Sequence, residues 1–180
     1  YLSVIPDKNV FIASPNGYPD KDYKALVERL GNGFPEAKYI DISGLLSADD
    51  FYYTDSHWRQ ERILTVSDEI ADEMGVERIG QCEKRDTGVS FYGVYYGQSA
   101  LPHAPEPLRY LDNAVIRDLK VYNAEIKSEI PVYDLKAAGG RDPYEMFLGG
   151  ARSIITITNP NVVRERRLVI FRDSFGSSIA

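Results

Sequence analysis

Residues 20–42, DKDYKALVERLGNGFPEAKYIDI, decide the fold class. Asp20 follows Pro19 and is placed to cap a helix through Leu30, because a carboxylate can accept one of the N–H groups that the first helical turn leaves unpaired. Tyr23, Leu26, Val27 and Leu30 recur on one face, and Gly31 stops the pattern. Lys38 to Ile42 (KYIDI) then reads as a strand. Upstream, Leu2 to Ile5 and Val10 to Ala13 read as short apolar strands separated by the turn Pro6-Asp7-Lys8-Asn9. Strand, helix, strand in this order predicts an α/β layer architecture, with crossover helices covering a mostly parallel sheet.

Working toward the C-terminus, Ile63, Leu64, Val66, Ile70, Ala71 and Met74 lie at helical spacing before Gly75, which predicts a helix from Arg59 to Met74. Gly88 to Gly97 alternates glycines with aromatics (FYGVYYG) and leads into a proline-rich stretch through Pro107, so an irregular loop or a short edge strand is expected there. Ala114 to Tyr122 and Ile130 to Asp134 alternate as a strand pair. Asp142-Pro143 is a helix start that Gly149-Gly150 cuts short. Ile154 to Thr158 and Leu168 to Phe171 read as strands, the second wholly apolar as in a buried parallel sheet. No internal repeat or linker interrupts the chain, which is expected to be a single domain. It opens at Tyr1 rather than Met and stops at Ala180 within the first turns of a predicted helix, so the domain is expected to continue past its C-terminus.

Composition narrows the chemistry. The 180 residues suffice to bury a core without crosslinks, and 43% hydrophobic with 27% charged residues is ordinary globular usage. The net charge of −6 disfavours a phosphate backbone as partner, since binding one takes a basic surface. Cys82 is the single cysteine, and with only His57 and His103 it makes no zinc-type ligand set; no metal and no organic cofactor is expected. No apolar run approaches the ~18 residues of a membrane span.

Two stretches carry candidate chemistry. In Tyr53-Thr54-Asp55-Ser56-His57-Trp58 a carboxylate and an imidazole two residues apart can lie on one side of an extended segment, the carboxylate accepting Nδ1–H and leaving Nε2 as a base. In Leu168-Val-Ile-Phe-Arg172-Asp173-Ser174-Phe175-Gly176 an apolar strand ends at a hydroxyl facing a helix start, where a nucleophile of an α/β sheet belongs and where N–H groups can stabilise an oxyanion. Asp55, His57 and Ser174 thus supply orienter, base and nucleophile of a serine triad. Either fragment alone is more often a surface loop or a structural hydrogen bond.

FYYTDSHW before an amphipathic helix, and the distant RLVIFRDSFGSS, resemble the two signature blocks of the DHHW protein family, itself similar to the SGNH-like alginate O-acetyltransferases. FYGVYYGQSA and DPYEMFLGG resemble that family's intervening segments in the same order. The resemblance implies an SGNH-hydrolase-like, three-layer α/β/α domain with permuted motif order, in which the family's acid, base and nucleophile match Asp55, His57 and Ser174. Ser56 replaces the first histidine of DHHW, and Arg172 stands where SGNH hydrolases commonly have glycine. Substrate-contacting candidates are Trp58, Arg172, Gln98 and Asn159, the last two as oxyanion donors. Trp58 also reads as core, and core is the better reading. Tyr92, Tyr95 and Tyr96 read as packing rather than a carbohydrate platform, His103 as a solvated loop histidine, Arg164 to Arg167 as a solvated turn, and Cys82 as having no role.

The expected function is an esterase or O-acyltransferase acting on O-acyl groups of cell-surface or exported carbohydrate, located, by the resemblance, outside the cell or on its surface. A carbohydrate or an O-acylated small molecule is the expected partner. The rival from another class is a non-catalytic carbohydrate-binding or cell-envelope scaffold with the same fold. A metal-dependent hydrolase using Asp55 and His57 as ligands is weaker, since further ligands are lacking.

Overall fold

The computed structural model describes residues 1–163 and 166–179. Two compact units divide the chain: Tyr1–Ile79 with Gly93–Leu101, and Gly80–Tyr92 with Pro102–Ala180. Arg164 and Glu165, half of the predicted charged turn, lie outside the described residues.

In the first unit the predicted strand, helix, strand unit reduces to a single parallel bridge between Leu2 and Tyr39. Leu2 donates its N–H to Lys38 O (2.9 Å) and accepts from Ile40 N (2.8 Å), and Ser3 Oγ adds a bond to Ile40 O (2.9 Å). The expected strand Val10 to Ala13 is instead helix α1 (Asn9–Ile12). Asp7 causes the change: its Oδ1 accepts from Asn9 N (2.8 Å) and its carbonyl from Val10 N (3.0 Å), turning the backbone before a strand can start. Helix α2 (Tyr23–Gly33) is capped by Asp22 rather than Asp20, with Asp22 Oδ1 accepting from Ala25 N at 2.9 Å. Helix α3 (Leu64–Met74) starts later than Arg59, after a 3₁₀ turn (Gln60–Arg62), and ends at Gly75 as predicted. Gly75 has φ +63°, and the N–H of Val76 reaches back to Ala71 O (2.9 Å), satisfying a carbonyl the helix would otherwise leave bare. Ile40, Ile42, Phe51, Tyr52, Trp58, Ile63 and Val66 are this unit's buried side chains of greatest interest. Its last element is α4 (Val94–Ser99).

The second unit is built on antiparallel pairing. Strand β1 (Glu83–Phe91) enters the stretch from Gly88, expected as an irregular loop or a short edge strand, only as far as Phe91, and pairs with β2 (Glu106–Asp112), the register shifting between Asp86 and Ser90, around Gly88 (φ +73°). The predicted strand Ala114 to Tyr122 splits into helix α5 (Ala114–Asp118) and strand β3 (Lys120–Asn123). Asn113 accepts the N–H of Ile116 at 2.9 Å and so nucleates a helical turn that the β-branched residues alone would not choose. Strand β3 lies between β4 (Ser128–Ile130) and β5 (Ile155–Thr158), antiparallel to both; of the expected strand Ile130 to Asp134 only Ile130 lies in β4, and Tyr133 makes an isolated bridge with Phe147 instead.

The chain therefore mixes helix and sheet, as an α/β reading requires, but both described sheets are antiparallel; a mostly parallel sheet is not their arrangement. Leu168 to Phe171 is the clearest departure. It forms no strand and is exposed, Phe171 at 97%, because a run of this kind needs a sheet edge and neither described sheet takes it. Among the described residues no helix is long and apolar enough to cross a membrane.

Candidate active site

The Asp-x-His stretch sits in a loop closed on itself. Phe51 and Trp58 form an antiparallel bridge, Arg59 N donates to Asp50 O (2.7 Å) and Tyr52 N to His57 O (3.1 Å), so residues 53–57 are held as a tight bend rather than the extended segment predicted. Trp58 has 0% exposure and anchors the bend in the core; it offers no face to a sugar. Asp50 is fixed in turn by a reciprocal cap, accepting from Ser47 N and Ser47 Oγ at 2.8 Å each.

Within the bend Asp55 is buried, and three N–H groups converge on it. Oδ1 accepts from the His57 main chain (2.9 Å) and from His57 Nδ1 (2.6 Å), while Oδ2 accepts from Val94 N (3.0 Å). Burial pushes the Asp55 carboxyl up, but the two hydrogen bonds from His57 and the one from Val94 outweigh it, and its pKa lies below the ordinary carboxylate value. An ionised carboxylate only accepts, so Nδ1 carries a proton, and in the neutral tautomer that this bond selects, Nε2 holds the lone pair. This is the acid-steered imidazole predicted from spacing.

Helix α4 completes the arrangement. Gly93 N donates to Thr54 Oγ1 (3.0 Å), Val94 N to Asp55 Oδ2, and Tyr95 N to Thr54 O (2.9 Å), so three successive N–H groups clasp Thr54 and Asp55. A β-carbon at Gly93 would stand 2.3 Å from Thr54 O and 2.4 Å from Asp55 Cβ, closer than any side chain tolerates. The glycine of FYGVYYG is thus required by close approach, a role the sequence reading did not assign. Lys8 is the other residue it missed: Nζ donates to the carbonyls of Tyr52 (2.8 Å), Tyr53 (3.1 Å) and Asp55 (2.8 Å) and lies 4.8 Å from the centre of the Tyr95 ring. Nothing in the turn Pro6-Asp7-Lys8-Asn9 signals a partner some 45 residues on. Beside the bend runs an open groove of about 580 Å³ whose lining includes Lys8, Phe51, Tyr53, Arg59, Arg62 and Tyr95.

Ser174 belongs to the second unit and is exposed. It precedes a 3₁₀ turn (Phe175–Ser178) with helical backbone angles (φ −64°, ψ −29°). The N–H groups expected to serve an oxyanion are engaged locally, Phe175 N with Asp173 Oδ1 (3.0 Å) and Ser177 N with Ser174 O (3.1 Å). The turn is pinned from below by Tyr144, whose hydroxyl donates to Ser178 Oγ (2.8 Å). Arg172 lies over Gly176, where an added β-carbon would meet its side chain at 2.6 Å, and donates to Ser177 Oγ (2.6 Å) and Asp173 O (3.1 Å). Burial lowers its guanidinium pKa, with Asp173 opposing.

Gln98 is exposed on α4 in the first unit; Asn159, in the second, accepts from Asn161 N (3.0 Å) in a turn after β5. His103 is exposed, its Nδ1 2.7 Å from Ala104 O. Among the described residues no group of three or more His, Cys, Asp or Glu is placed to hold a metal ion.

No family model matches this sequence, and none of the curated proteins compared with it does. A DHHW family protein from Eubacterium siraeum DSM 15702, known from a crystal structure, superposes with a TM-score of 0.69 at 16% identity. The match takes in 98% of this chain and 63% of the other, so this chain spans less than two thirds of that protein's length. At this identity the likeness is one of fold, and it supports the DHHW resemblance carried by FYYTDSHW and RLVIFRDSFGSS: the chain has the fold of a DHHW family protein.

Proposed function

We propose that the protein is an SGNH-like serine esterase or O-acyltransferase acting on O-acyl groups of a cell-surface or exported carbohydrate, and that it works outside the cell or on its surface. The observation that carries this reading is the Asp55–His57 pair: a buried carboxylate holding Nδ1–H at 2.6 Å, which fixes the tautomer a general base needs. Ser174 is assigned as nucleophile from the RDSFGSS block. Its Oγ attacks the acyl carbonyl carbon as His57 Nε2 takes the hydroxyl proton; the ester C–O bond then breaks and the departing alcohol leaves with that proton. Water or a sugar hydroxyl attacks the acyl-serine, its proton passes to Nε2, and Ser174 regains it as the acyl group leaves.

A scaffold reading is favoured by one feature, the engagement of Phe175 N–H by Asp173, which occupies a donor that an oxyanion would use. Hydrolysis of p-nitrophenyl acetate by the whole protein separates the two. The enzyme loses turnover by about 10²-fold or more in Ser174→Ala and in His57→Ala. A scaffold gives the same slow background in all three proteins.

A further inference from the structure

We propose that Lys8 is a positioning residue for the Asp55–His57 pair, its ammonium acting as the resident cation of a carbonyl cage formed by Tyr52, Tyr53 and Asp55; this rests on the reading of that pair as the acid and base. Three carbonyl oxygens from four consecutive residues converge on one point, at 2.8, 3.1 and 2.8 Å from Nζ. Oxygen dipoles so arranged repel one another unless a positive charge sits between them. An ammonium has three N–H donors, and the three oxygens match that number. The Tyr95 ring centre lies 4.8 Å from Nζ, and Tyr95 N is itself bonded to Thr54 O, so Lys8 joins the bend to α4 where Gly93 and Val94 grip Thr54 and Asp55.

The reach of Lys8 is prepared by its own turn. Asp7 fixes Asn9 and receives the Tyr23 hydroxyl oxygen on its main-chain N–H (2.8 Å), which ties the turn to α2. One of the caged oxygens belongs to Asp55, whose carboxylate holds His57. A shift of that peptide moves Oδ1 away from Nδ1. Arginine is no substitute, because a planar fork cannot bring three N–H bonds to one point.

The His57 Nδ1–H proton, observed by NMR in whole protein labelled with ¹⁵N, reports the hydrogen bond without any need for turnover. In the wild type it is a sharp downfield resonance. Lys8→Met keeps the stem and removes the ammonium; it retains the wild-type circular dichroism, loses the sharp resonance, and reacts with a fluorophosphonate at Ser174 about 10- to 100-fold more slowly, as a misplaced catalytic group does. In Lys8→Ala, added propylammonium restores the resonance. A Lys8→Met protein with the wild-type resonance and rate overturns the proposal. Should that variant not fold, Lys8→Ala decides: return of the resonance with propylammonium supports the cage, and no return overturns it. Loss of the resonance in a protein whose wild type never labels leaves the Lys8 role standing and removes the acyl-transfer reading.

Discussion

Asp55 Oδ1 accepts two hydrogen bonds from His57, one from the main chain at 2.9 Å and one from Nδ1 at 2.6 Å, so a single oxygen fixes both where the histidine backbone turns and which way its ring faces. Asp55→Asn presents a carboxamide there, which has donors of its own and no charge to hold an imidazolium. Serine-directed acylation is expected to fall by about 10²- to 10⁴-fold with the fold retained, measured as kcat/KM for an activated ester. A loss below threefold would refute the orienting role.

The same carboxylate makes stability depend on pH. Its folded-state pKa is held below the ordinary value of 3.8, so the stability it contributes is fully present above that value and is lost as pH falls through the lower, folded value. Denaturant midpoints of wild type and Asp55→Asn should therefore differ at neutral pH and converge under acid conditions. A constant gap across the range is the opposing result.

Gly93→Ala places a methyl group 2.3 Å from Thr54 O. Overpacking of this kind costs about 1–3 kcal/mol, and here the backbone must also move away from the bend, weakening the bond from Val94 N to Asp55. Urea unfolding should show the loss, together with exchange broadening of the His57 ring signals. Gly97→Ala, with open space around its Cβ position on the same helix, is the control and should change little.

Trp58→Ala removes the largest fully buried side chain, with an expected loss of about 3–5 kcal/mol. Tyr144→Phe removes only the hydroxyl that holds Ser178 Oγ in a buried pair, and about 1–3 kcal/mol is expected because Ser178 is left without that donor. Calorimetric melts of the two variants should differ in that order.

What could be read from the chain beforehand was local. Gly75, the Asp142 cap and the Asp55–His57 spacing are decided within a few residues, and each appears where expected. Sheet direction is not local: the apolar run Leu168 to Phe171 has the composition of a buried strand, yet strand status depends on an edge supplied by distant residues. A side-chain turn at Asp7 and a cap at Asn113 turned two apolar stretches into helix by the same side-chain chemistry that acts at Asp142. Lys8 was illegible as a site residue because its partners, the carbonyls of Tyr52, Tyr53 and Asp55, are backbone atoms and leave no mark in side-chain type, and Gly93 because its close approach to Thr54 and Asp55 joins residues distant in sequence.

Treating the protein with a fluorophosphonate and mapping the adduct by mass spectrometry separates a serine enzyme from a scaffold. One phosphonylated residue, Ser174, is expected, with the labelling rate reduced by about 10²-fold or more in His57→Ala. No adduct at Ser174, or an equal rate in His57→Ala, would contradict the enzyme reading.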